Sequence, residues 1–306
     1  MTKTKRSWPV QILLLACLLV CIVLAACVGK YPVSPAESLK IMLGALLGKS
    51  GNTNEMTVNV VLGLRVPRIL ASVIVGGALS MSGAAYQGIF KNPLVSPDFL
   101  GVSSGACIGA AVAILLSLSA TYISVFAFVF GIVAVLITVA IPAIMGNRTN
   151  VMLVLSGIIV GTAMSSILGF IKYIADPNTQ LASITYWTMG SFSYITLADL
   201  FAVLPISAVP GVILILMAWW IDVLSMGEDE ARTLGARVGL IRGITIICAT
   251  LLTAASVCIA GTISWVGLIV PHFGRMAVGP SNRKLLPMCA LLGGLFMLAE
   301  IGRAHV

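Results

Sequence analysis

Apolar residues run through this chain in blocks too long for strands and too uniform for one-sided surface helices. Examples are WPVQILLLACLLVCIVLAAC near the start, ISVFAFVFGIVAVLITVAIPAI in the middle and FAVLPISAVPGVILILMAWW beyond it. A helix that is apolar on every face belongs in lipid or in a buried core. About 20 such residues cross a hydrocarbon layer of about 30 Å. That ruler predicts nine spans, near residues 9–28, 68–90, 99–118, 122–145, 151–174, 200–221, 240–259, 262–278 and 285–299. The third is rich in Gly and Ser, and Pro271 breaks the eighth. The expected fold class is therefore an all-α polytopic membrane protein, with one transmembrane domain over residues 1–299.

Composition sharpens this picture. Of 306 residues, 59% are hydrophobic and 9% charged, and the mean hydropathy is +1.10. Such a chain has lipid as its solvent. The net charge of +8 comes from short clusters between the spans, which does not describe a nucleic-acid groove. Lys and Arg favour the cytoplasmic side. With the N-terminus inside, that side collects Lys3, Lys5, Arg6, Lys91, Arg148, Arg232, Arg237, Arg242, Arg275, Arg283 and Lys284. The other side holds Lys30, Lys40, Lys49, Arg65, Arg68 and Lys172, mostly in the long first loop. The seven cysteines lie in apolar stretches without metal-binding spacing, so neither a disulfide framework nor a zinc site is expected.

Three local signals point elsewhere and are weighed against this frame. Leu24-Ala25-Ala26-Cys27 follows a basic start as a lipoprotein signal does, but a chain with eight further spans needs no lipid anchor. GALLGKS at 44–50 leaves three residues between Gly44 and the Gly48-Lys49 pair, where a phosphate-cradling loop needs four. Any ATP hydrolysis is thus expected from a separate subunit. EIGRAHV, residues 300–306, ends the last apolar run without a closing span and matches one reading frame of a common sequencing adapter. A non-native tail is expected there.

No nucleophile, paired carboxylate or metal cluster at catalytic spacing stands out, and His272 behind Pro271 reads as a packing or loop residue. An enzyme and a cofactor are not expected. Gln87 in the second span is a candidate pathway residue, because an amide in lipid must find a partner or face water. After it, Asn92-Pro93-Leu94-Val95-Ser96-Pro97 forms a corner whose prolines stop the helix, with Asn92 and Leu94 projecting toward a passage axis. The most charged segment, Met226 to Gly243, contains Gly227, Glu228, Asp229, Glu230, Ala231, Arg232, Leu234 and Gly235. Its acids precede its arginines, as suits a short helix and its dipole. On the outer side, Arg65 and Arg68 flank Pro67 at the mouth of the second span, where they anchor to the interface or pair with carboxylates of a partner.

Together these segments resemble the permeases of ATP-binding-cassette importers for iron-siderophores, haem and cobalamin, the iron-chelate permease family. The resemblance rests on LRVPRIL at 64–70, GGALSMSGAAYQGIFKNPLVSPDFLGVSSGA at 76–106, GEDEARTLG at 227–235 and GTISWVGLIVPHFGR at 261–275. It implies a fold of ten helices per subunit, about nine of them present here, in a bacterial inner membrane. It implies a second permease copy or paralogue around one pathway, separate ATPase subunits and an extracytoplasmic substrate-binding protein. By resemblance Arg65 and Arg68 meet the binding protein, Asn92, Leu94, Thr149 and Asn150 form the cytoplasmic gate, and GEDEARTLG couples to the ATPase. The wording SPDFLGVSSGA leans toward ferric siderophores over haem or cobalamin. A secondary transporter driven by ions is the alternative from another class. It predicts ionisable groups inside spans, and Lys172 and Asp222 lie only near span ends.

Overall fold

The computed structural model describes residues 8–29, 31–47, 54–147 and 149–304. Lys3, Lys5, Arg6, Lys30, Lys49, Arg148, His305 and the end of GALLGKS lie outside these residues. Among the described residues every regular element is helical. Seven helices are long and apolar enough to cross a membrane. They are α1 Trp8–Cys27, α4 Val66–Phe90, α6 Ala120–Ile144, α7 Asn150–Ile174, α9 Leu197–Met226, α11 Val238–Ala260 and α13 Asn282–Ala304. Two shorter apolar helices, α5 Val102–Leu115 and α12 Val266–Val278, account for the remaining expected spans.

The shortness of α5 and α12 has a local cause. The stretch expected to start a span at 99 is instead a 3₁₀ turn, Pro97–Leu100, closed by Gly101 at φ 83°. Only a residue free of a Cβ takes that left-handed geometry without strain. At about 1.5 Å per residue α5 covers roughly 21 Å, less than a bilayer core, and such a segment persists only when protein surrounds it. Its Gly105–Ala111 stretch is buried throughout. Likewise α12 begins only at Val266, after a non-helical approach from Gly261.

Four short elements complete the chain. α2 Pro35–Leu46 starts with Ser34 accepting from Glu37 N at 3.2 Å and Pro35 in the first turn, a readable N-terminal signature. α3 Glu55–Val58 runs through a π-helical turn, Asn59–Arg65, straight into α4. The wider winding accommodates Pro67, which offers no N–H and crowds the preceding turn. α8 Gln180–Met189 and α10 Glu228–Thr233 lie between longer helices.

α4 is the central helix, with almost every side chain from Ser72 to Gln87 buried. Its small residues let other backbones touch it. A methyl at Gly76 would lie 2.2 Å from Gly293 O on α13, and one at Gly83 would lie 1.8 Å from Gly267 O on α12. One at Gly88 would meet Ile221 Cγ2 of α9 at 2.6 Å. Hydroxyls bind the fourth neighbour, α11: Ser82 Oγ is 2.8 Å from Thr253 Oγ1 and Tyr86 Oη is 2.9 Å from Thr250 Oγ1. The outward faces are apolar, as with Ile12, Leu13, Leu19 and Val20 on α1 or Leu204, Val212 and Leu216 on α9.

These crossings set the tolerance for added volume. Gly83→Ala is expected to lower the melting midpoint of the purified protein by several degrees, since overpacking costs about 1–3 kcal/mol. Gly169→Ala, where no atom lies within 4 Å of the added methyl, should leave it unchanged. With Cys17, Cys21 and Cys27 replaced by Ser, a thiol-reactive dye reads both, because Cys107, Cys248, Cys258 and Cys289 are buried until the helices separate.

Candidate functional site

At one end of the bundle the two arginines flanking Pro67 part company. Arg65 is 6% exposed; its Nη1 donates to Ala26 O at 2.8 Å and its Nη2 to Tyr31 O. It ties the α1–α2 connection to the start of α4 rather than presenting its charge to a partner. Arg68 is half-buried, with Nη2 donating to Ser193 O at 2.8 Å. Of the expected docking pair, then, Arg68 alone remains near the surface. Lys172 and α8 share this end, Lys172 Nζ reaching Thr188 Oγ1 at 3.5 Å.

The opposite end gathers the corner after α4. Lys91 ends the helix in the left-handed region at φ 52°. Asn92 Oδ1 accepts from Leu94 N at 2.9 Å, and Val95 N donates to Asn92 O at 3.3 Å, so the side chain stabilises the turn it sits in. Val95 is buried while Leu94 is 71% exposed, an apolar tip in an otherwise polar place. Thr149 caps α7 by accepting from Met152 N at 3.4 Å. Asn150 Nδ2 donates to Ile89 O at 3.2 Å, which draws the start of α7 onto the last turn of α4. Asn92, Leu94, Thr149 and Asn150 thus share one end of the molecule.

Gln87 takes the interhelical hydrogen-bonding course open to a buried amide. It is 4% exposed, with Nε2 donating to Val95 O at 3.1 Å and lying 3.5 Å from both Gly267 O and Leu268 O. Its Oε1 accepts from Arg275 Nη2. This placement follows from polar accounting in an apolar medium: a satisfied bond is worth about 1 kcal/mol net, and an orphaned buried group costs about 1–3 kcal/mol. Gln87 meets that demand by joining α4, the corner and α12.

α10 lies at the same end. Six residues make no stable helix alone, so its position depends on anchors. Ala231 is fully buried, and Ala236 N donates to Ala231 O at 2.9 Å. Glu228 accepts from Arg242 of α11 and lies 3.7 Å from Arg232, which also pairs with Asp229 at 3.5 Å. The Arg232 pairs are exposed and contribute about 0–1 kcal/mol each; the Arg242 contact is better sheltered. A methyl at Gly227 would lie 1.6 Å from Glu230 Oε2, and Gly235 takes φ 79° in closing the segment. The outer face presents Asp229, Glu230, Arg232, Leu234 and Gly235 to solvent.

Sequence reasoning noticed Asp222 only as an ionisable group near a span end. Its Oδ1 accepts from Asn282 N at 2.6 Å and Asn282 Nδ2 at 2.7 Å, and its Oδ2 from Ser281 Oγ at 2.8 Å. The carboxylate therefore caps the start of α13 from the end of α9. Arg275 had been counted only among the cytoplasmic charges and in the 261–275 motif. Neither role leaves a local signature, because each partner lies far away in the chain.

A model described as the FecCD transport family matches residues 17–301. The chain belongs to that family. It is similar to the molybdate import system permease protein MolB of Haemophilus influenzae, 34% identical over 92% of this chain and 83% of the relative. A probable iron chelatin transport system permease protein of Helicobacter pylori is 36% identical, over 78% and 72% of the two chains. Other relatives are named as cobalamin, hemin and siderophore permeases. A solved structure titled as an inward-facing conformation of a putative metal-chelate type ABC transporter superposes with a TM-score of 0.86 at 31% identity, covering 97% of this chain and 90% of that one. The FecCD chain is accordingly the permease subunit of an ABC importer, a transport component and not itself a catalyst. The ion-coupled alternative falls with that result. The FecCD match also runs past position 299, as does α13, in which Ile301 is buried.

The division between the two arginines is testable. Arg65→Met is expected to lower the melting midpoint by several degrees, since it orphans the carbonyl of Tyr31 at about 1–3 kcal/mol and leaves Ala26 O with only Ser38 Oγ, at 3.4 Å. Arg68→Met should shift it by less than about 2 °C.

Proposed function

We propose that this FecCD permease carries ferric siderophore complexes across a bacterial cytoplasmic membrane, paired with a second copy or paralogue around a shared pathway. Separate ATPase subunits hydrolyse ATP and engage α10, and an extracytoplasmic binding protein delivers the solute at the Arg68 end. The observation that carries this reading is α10 itself: a short helix held by Glu228, Ala231 and Arg242, with Asp229, Glu230 and Leu234 left facing outward. A moving partner gripping that face would transmit its displacement to α9 and α11, because the helix is braced against both. The exposed Leu94, with Asn92, Thr149 and Asn150, supports a constriction at the same end.

Charge supports the orientation. Lys91, Arg232, Arg237, Arg242, Arg275, Arg283 and Lys284 gather at the α10 end, against Lys40, Arg65, Arg68 and Lys172 at the other. An excess of cations marks the cytoplasmic face, so α10 points inward and the N-terminus is cytoplasmic. The SPDFLGVSSGA segment and the relatives named for iron chelates and siderophores support the choice of cargo. The similarity to a molybdate permease favours a second reading, import of an oxyanion.

Uptake by the chain reconstituted with its ATPase and binding protein separates the cargoes. Radiolabelled ferric siderophore is expected to accumulate with ATP, while molybdate, haem and cobalamin do not; molybdate uptake alone would establish the second reading. In the same system Gly235→Pro, or Glu228→Arg with Glu230→Arg, should cut uptake and solute-stimulated ATP hydrolysis at least about fivefold. Arg68→Glu is expected to slow association of the binding protein about tenfold at low salt and much less at high salt.

A further inference from the structure

The inner corner rests on a stretch of α12 that cannot satisfy its own backbone. Pro271 has no N–H, so the carbonyl of Gly267 one turn earlier lacks its helical donor. Gln87 Nε2 stands 3.5 Å from that oxygen and also donates to Val95 O at 3.1 Å. At its other end Oε1 accepts from Arg275, one turn beyond the proline. A single amide from α4 therefore grips α12 on both sides of its break and holds the corner as well. Packing reinforces the arrangement: a methyl at Gly267 would lie 2.3 Å from Pro97 Cγ and 2.7 Å from Leu79 O. Arg275 is half-buried, and among the described residues no carboxylate lies within ion-pair distance of it. An amide suits position 87, since its nitrogen donates to carbonyls while its oxygen accepts from a guanidinium.

We propose that Gln87 and Arg275 form a latch that positions the 92–97 corner, binding α4, both halves of α12 and the Leu94 tip into one body. Arg275 is a positioning residue in this account; it contacts no solute. Its link to transport rests on the reading of the corner as the inner constriction. Without the latch the tip is free to wander relative to α12, and closing the ATPase pair no longer sets the opening it makes. An amide facing a guanidinium is a weaker tie than a carboxylate pair, so the latch holds the corner while remaining releasable.

The test uses the whole transporter in lipid nanodiscs, with a spin label on Leu94→Cys in both permease copies and Cys17, Cys21 and Cys27 replaced by Ser. Gln87→Leu and Arg275→Met are each expected to broaden the label-to-label distance distribution and to raise the ATP consumed per solute imported by about fivefold. A merely structural role would lower yield and melting midpoint without moving that ratio. Distances and ratio both unchanged in assembled Gln87→Leu and Arg275→Met overturn the proposal. Should those variants fail to assemble, Gln87→Glu decides: it keeps the Arg275 contact and loses its donor to Val95 O, so the latch requires a broadened distribution, and a wild-type one refutes it. Broadened distances with an unchanged ratio would keep the latch and remove the corner from the constriction.

Discussion

In hydrocarbon there is no hydrophobic force to press one helix onto another, so association depends on close backbone contact and on leaving no polar group without a partner. α4 serves both, although Ser80 Oγ within it is buried without a hydrogen-bond partner among the described residues. Its Gly76, Gly83 and Gly88 admit α13, α12 and α9, and the Ser82 and Tyr86 hydroxyls reach α11. Each element at the functional end is therefore referenced to one buried rod. A side chain at any of those glycines would separate two backbones that the whole arrangement presumes to be in contact.

That reference frame explains how the α10 end is tied together although it is made of turns. The corner is closed by Asn92, sealed beneath by Val95 and gripped by Gln87; α7 is drawn onto it by Asn150. The start of α13 is capped by Asp222 from α9, and α10 is tied to α11 through Glu228 and Arg242. Polar side chains near the membrane surface thus act across the chain, from helix end to helix end. Leu94 and the outer face of α10 are among the groups left exposed at this end.

The two arginines beside Pro67 show how the same chemistry divides by a few ångströms. Both guanidiniums sit near the same end of the bundle, and both find carbonyls. Arg65 is enclosed by the α1–α2 connection around Gly29 and serves the fold, whereas Arg68 rests on Ser193 at the edge. Spacing along the chain treated them as a pair; the winding of the π-helical turn and the return of α2 over the first of them made them different.

Much of the architecture was legible in the chain alone, because a bilayer imposes a length and a polarity that single residues cannot evade. The all-α class, each long span, the corner at Asn92 to Pro97 and the short charged helix all follow from local composition and turn chemistry, whereas the stretch read as a long first loop holds α2, α3 and the π-helical turn. The family was legible too, through four ordered motifs. What the sequence could not settle was the partner of each polar group. Gln87 looks like a pathway residue until α12 brings Arg275 and the orphaned Gly267 carbonyl beside it, and Asp222 looks incidental until Asn282 arrives 2.6 Å away. Hydropathy is additive along a chain and can be read one window at a time, whereas a hydrogen bond depends on where two distant segments meet, and only the folded helices decide that.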